Sequence, residues 1–83
     1  MRPGPELLKL LNKPHVPDSL IQMKFKGFDI AIKTNESGEA ILLFLGKLDE
    51  SGRIRGSRYA RTLKKDREGR IFKDHWELKG KAT

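Results

Sequence analysis

The sequence predicts an α+β fold that is mainly β: a four-stranded antiparallel meander with a short N-terminal helix packed on one face. Three observations lead there. A turn pattern recurs as Asn35-Glu36-Ser37-Gly38, Asp49-Glu50-Ser51-Gly52 and Asp66-Arg67-Glu68-Gly69. The segments it separates, about 24–34, 39–48, 53–65 and 70–79, are apolar or alternating and run to ~10 residues each. Ahead of them, Leu7, Leu8, Leu10 and Leu11 form an apolar stripe at helical spacing.

Taken in chain order, Pro5 suits the first position of a helix and Glu6 suits its positive end. Asn12-Lys13-Pro14 ends it. So short a helix does not hold in water alone, and its leucines must dock. Pro14-His15-Val16-Pro17 reads as extended linker, with Asp18 capping a turn through Leu20 and Ile21. The expected division is residues 1–22 as helix and proline-rich linker, 23–80 as the sheet, and 81–83 as a flexible basic tail. At each repeated turn the leading Asn or Asp accepts a hydrogen bond from the backbone two residues on, and the glycine takes positive φ.

Cross-strand chemistry selects the registers. A four-residue loop at 66–69 pairs Lys65 with Arg70, Leu63 with Phe72, Arg61 with Asp74, Tyr59 with Trp76 and Arg58 with Glu77, joining aromatics and opposite charges. The same loop length in the first hairpin sets Ile32 beside Ile41, Ile30 beside Leu43 and Phe28 beside Leu45. In the middle hairpin Leu48 meets Ile54 and Leu43 meets Tyr59, with Gly56-Ser57 a candidate bulge. The expected core face carries Phe28, Ile30, Ile32, Ile41, Leu43, Leu45, Tyr59, Leu63, Phe72, Trp76 and Leu78. The opposite face is basic around Leu42 and Phe44.

Composition narrows the function classes. The 83 residues carry 18 Lys+Arg and 11 Asp+Glu, a net charge of +7. Residues 1–52 hold 7 basic and 7 acidic side chains, and residues 53–83 hold 11 and 4, so the whole excess sits in the last third. Without cysteine there is no disulfide, thiolate metal site or thiol nucleophile. No apolar run reaches the ~20 residues of a membrane span, and the N-terminal leucines, broken by Lys9, do not make a secretory signal. A cytoplasmic location is expected. No nucleophile stands beside a base, no cofactor fingerprint occurs, and no carboxylates converge from separate strands. Neither enzyme activity nor a cofactor is expected.

The basic third is the candidate site. Phosphates attract such a stripe through counterion release, and exposed aromatics on sheets stack bases. Phe44, Arg53, Arg55, Arg58, Lys64, Lys73, His75 and Lys79 are the expected nucleic-acid-binding residues, contacting RNA or DNA mainly through phosphates with little sequence discrimination. A rival role is a protein-interaction or accessory subunit, or a homodimer, acting through strand 24–33 as a free edge or through the helix. The hairpin's charges also have a purely solubilising role open to them. His75 lies between Asp74 and Trp76, but strand alternation sends neighbours to opposite faces, so no catalytic dyad forms. His15 has no evident partner, and two histidines without cysteine do not suggest zinc. Gly52-Arg53-Ile54-Arg55-Gly56-Ser57 lacks the spacing of a phosphate loop.

Overall fold

A computed structural model of the chain describes residues 4–81. One helix and five strands follow in order: α1 (Pro5–Leu11), β1 (Leu20–Phe25), β2 (Phe28–Thr34), β3 (Ala40–Leu48), β4 (Ile54–Lys65) and β5 (Ile71–Lys81). The strands make one antiparallel sheet in sequential order. The fold is mainly β with one short helix, but it has five strands where four are expected. Leu20 and Ile21 open a strand rather than a capped turn, and Asp18 sits at φ 49° ahead of it. β1 returns into β2 through Lys26-Gly27, at φ 48° and 82°, the signs of a type I′ turn. Lysine is not a residue that announces such a turn. The sheet therefore starts within 1–22, and β5 runs to Lys81, so only residues 82–83 of the expected tail lie outside the described residues.

The three Asx-x-x-Gly turns share one geometry. Gly38, Gly52 and Gly69 adopt φ of 79°, 84° and 82° and donate to the carbonyls of Asn35, Asp49 and Asp66. Each Asx side chain accepts from the backbone N–H two and four residues on: Ser37 and Glu39, Ser51 and Arg53, Glu68 and Arg70. Each turn is closed by a bond from the Asx N–H to the carbonyl four residues later. Thus all three are three-residue loops with a glycine bulge, not two of four residues and one of three.

That corrects the registers. The middle hairpin matches expectation, with Leu48 opposite Ile54 and Leu43 opposite Tyr59, and stays regular past Gly56. In the other two, the shorter loop and a following bulge each move the partner by one. Ile30 therefore meets Leu45, Ile32 meets Leu43, Tyr59 meets Leu78, Arg61 meets Trp76, and Leu63 meets Asp74. A total shift of two preserves the faces. Tyr59 and Trp76 accordingly share one buried cluster with Ile30, Ile32 and Leu43. Two core assignments fail at the bulges. Ile41 has no opposite residue and is only partly buried, while Ala40, opposite Thr34, is fully buried. Phe72, skipped where Lys64 and Lys65 pair with Lys73 and Ile71, is 68% exposed. Phe28 and Leu78 are also exposed.

α1 closes the core face from the same chain. Leu7 and Leu11 enter the cluster, with Leu8 and Leu10 packed at its side. The linker is pinned rather than loose. His15 has a partner after all, since its Nε2 lies 3.1 Å from the Leu10 carbonyl and its N–H donates to Gly38. Buried Thr34 donates to the Val16 carbonyl at 2.6 Å and accepts from the Ser19 N–H at 2.9 Å. Arg61 locks helix to sheet: it makes two 2.7 Å bonds to Asp74, reaches Asn12 and the Ala40 carbonyl, and lies over the Trp76 ring. Expected as directly opposite, Arg61 and Asp74 meet diagonally instead.

The other sheet face is not flat. Gly46 and Gly56 face each other across β3 and β4 so closely that a Cβ on Gly46 would lie 1.8 Å from the Arg55 carbonyl oxygen. This approach bends the end of the β3–β4 hairpin over β1 and β2. Asp29 Oδ2 accepts from the Leu48 N–H at 2.8 Å, Gln22 donates to the Gly52 carbonyl at 3.3 Å, and Ile54 is buried.

Three carboxylates tie these turns and titrate low. The Leu48 N–H holds the Asp29 carboxyl down, the Lys65 ammonium and then Asn35 do so for Glu39, and the Ser51 hydroxyl with the Arg53 N–H puts Asp49 well below the usual range. A carboxylate with a lowered native pKa adds stability that is complete above its unfolded value and lost as pH falls through the native one. With unfolded values of 3.8 for Asp and 4.5 for Glu, the urea midpoint is expected to hold above about pH 5 and to fall progressively below it. Asp49→Asn should shrink that acid-side fall, measured as the difference in midpoint between about pH 6 and about pH 3.

Candidate nucleic-acid interface

β4 and β5 outrun the sheet. The last β3–β4 pair is Leu42 with Ala60, and beyond it the two strands pair only with each other. They form a ribbon arm in a molecule whose extents are 44 × 25 × 22 Å. Arg61 near its root and the Lys65–Glu39 ion pair at 2.8 Å near its tip tie it to the rest of the fold. The turn at 66–69 tips it, with Arg70 paired to Asp66 and Glu68.

Alternation and register place the expected site residues. On the bent face, Phe44 pairs with Arg58, Thr62 with His75, and Lys64 with Lys73. These five expected residues, Phe44, Arg58, Lys64, Lys73 and His75, share one side of the sheet. Arg53 joins them at the rim, where the hairpin bend brings it to the same cleft as Phe44. Two expected residues are held in ion pairs instead. Arg55 lies opposite Lys47, on the core side of the sheet, and is ion-paired to Asp49 at 3.0 Å. Lys79 is skipped by the bulge between Arg58 and Tyr59 and bonds Glu77 at 2.9 Å. With Glu77 bound there, Arg58 lacks the carboxylate neighbour the expected register gave it.

Charge compensation divides the cations. Arg55, Arg61, Lys65, Arg70 and Lys79 hold ion pairs. Among the described residues of this third, Arg53, Arg58, Lys64, Arg67, Lys73 and Lys81 hold no ion pair. Lys64 and Lys73 stand directly opposite each other, an arrangement that costs stability when nothing neutralises it.

The carriers of the rival role have changed place. Segment 24–33 includes the β1–β2 turn and interior strand β2, so the free edges are β1 and β5. The leucines of α1 are occupied in cis. Among the described residues no helix is long and apolar enough to cross a membrane, and no group of three or more metal-ligating side chains gathers.

The cleft was not visible in the sequence. Leu20, Gln22, Ala31, Phe44, Gly52, Arg53 and Ile54 line this open cleft of about 180 Å³. Gly46 and Gly56, each isolated within a strand pattern, are the hint of the close approach that makes it. Comparison of the chain with protein-family models, curated proteins and solved structures finds no match.

Proposed function

We propose that this protein is a small nucleic-acid-binding module whose bent face and ribbon arm hold phosphates, with little sequence discrimination. One observation carries it: the uncompensated Lys64–Lys73 pair, on the same face as Arg58 and His75. Like charges placed opposite each other are repaid when an anion lies between them. Lysine side chains without bidentate partners contact phosphate as point charges, which gives affinity without base readout.

A salt titration tests this. With four contacts, from Arg53, Arg58, Lys64 and Lys73, log Kd is expected to rise with log salt at a slope of about 3 to 4. Replacing Lys64 and Lys73 together by Gln should flatten that slope by about 1 to 2 and leave the melting temperature unchanged or higher. Lys9→Gln, exposed on α1, should leave the slope unaltered. Oligonucleotide binding no stronger than that of an unrelated protein of equal charge would end the proposal.

A further inference from the structure

We infer that the cleft under the β3–β4 bend receives one unpaired base, so that the ligand is a single strand rather than a duplex; this rests on the phosphate-binding role proposed above. The cleft combines two features that seldom serve the same ligand. Its walls are apolar, from Leu20, Ala31, Phe44 and Ile54, and Leu20 is left 61% exposed. It is also flanked by cations, because Arg53 is one of its lining residues and Arg58 stands opposite Phe44 on the neighbouring strand. Among the described residues neither guanidinium holds an ion pair, so both charges are free for an anion.

A ligand that satisfies both parts has a flat apolar ring joined to an anion. A free phosphate would leave the apolar walls wet, and an apolar peptide or acyl chain would leave the guanidiniums idle. A nucleotide unit uses both, the base against Phe44 and its phosphate against Arg53 or Arg58. The cleft also continues into the basic track. Arg58 and Lys64 are six residues apart on the same face of β4, about 20 Å along the strand, so a chain of several nucleotides spans from cleft to arm. Bases in a duplex are paired and stacked inside it, and none is free to enter. The bend that builds the cleft is held from β1 by Gln22 on the Gly52 carbonyl, so the slot exists before any ligand arrives.

The test compares a fluorescein-labelled 12-nucleotide mixed-sequence DNA strand with the same strand annealed to its complement, by anisotropy at one salt concentration. The single strand is expected to bind at least 10-fold more tightly. Phe44→Leu, which keeps the bulk and removes the ring, should weaken single-strand binding about 5- to 100-fold without changing the salt slope. Leu20→Ser alters an exposed wall residue, protects against a folding artefact at position 44, and should weaken the single strand alone. Amide resonances of Ala31, Gly52 and Ile54 should shift on adding the single strand and not on adding inorganic phosphate. Equal affinity for both forms, with both variants binding normally and the salt slope intact, would overturn the base slot and leave the phosphate role standing. No salt-dependent binding of either form would overturn both.

Discussion

Gly46→Ala is expected to cost about 3 kcal/mol or more, the upper range for overpacking. The added Cβ would meet the Arg55 carbonyl oxygen at 1.8 Å and the Gly56 Cα at 2.9 Å. Both are backbone atoms of the paired strand, so no rotamer change relieves the clash and β3 must part from β4. Separation unbends the hairpin and removes the Asp29–Leu48 and Gln22–Gly52 hydrogen bonds together, exposing Ile54. Gly69→Ala is the control. Its φ of 82° makes a side chain unfavourable, but nothing lies within 4 Å of the new Cβ. Its expected cost is the backbone penalty alone, about 1–2 kcal/mol. Urea denaturation of the two variants separates steric from conformational glycine. Similar midpoints would show that the hairpin bend has slack. The same Gly46→Ala protein, if still folded, should lose single-strand preference, since the cleft depends on the bend.

Which parts of this architecture were legible in the sequence follows from how local their causes are. An Asx-x-x-Gly turn is complete within five residues, and all three form where the pattern stands. Strand faces were also legible, because period-two alternation survives any shift of two. Exact partners were legible only in the middle hairpin. The glycine bulge closes Asn35 on Glu39 and Asp66 on Arg70, and bulges beside Lys33 and Lys64 add a second slip. Phe72 left the core for that reason. The β1–β2 hairpin escaped notice because Lys26 takes a positive φ that Asn or Gly usually signals.

The site divides the same way. Lys64, Lys73, His75 and Arg58 share a face by alternation, which the sequence displays. Whether a cation is free or paired depends on loops distant in the chain. Arg55 is claimed by Asp49, six residues away, and Lys65 by Glu39, twenty-six residues away. The meeting of Arg53 with Phe44 requires the whole hairpin to bend, which no local pattern states. A charge map from sequence therefore finds the basic hairpin and overcounts its available cations.

Leu11→Ala is the second large effect expected, and it decides whether α1 belongs to the domain or is a segment held for a partner. Leu11 is 0% exposed, in one cluster with Ile30, Ile32, Leu43, Tyr59 and Trp76. Truncating a fully buried leucine costs about 2–5 kcal/mol. A chain of this size has on the order of 4–12 kcal/mol in total. At about 4–8 °C per kcal/mol, the melting temperature should fall by roughly 10 °C or more. Lys9→Ala, on the exposed side of the same helix, should change stability by less than about 0.5 kcal/mol. The helix is too short to persist undocked, so losing its anchor loses all of it at once. Deleting residues 1–13 carries this further, removing Leu7 and Leu11 from the core along with Asn12, a partner of Arg61. The bared sheet face then has no cover in its own chain. The deletion variant is expected to self-associate in light scattering and to red-shift the emission of Trp76, the sole tryptophan, now 3% exposed. A monomeric deletion variant with unshifted emission and an unchanged melting temperature would mean that the sheet stands without α1. The helix would then be free to serve another protein's groove.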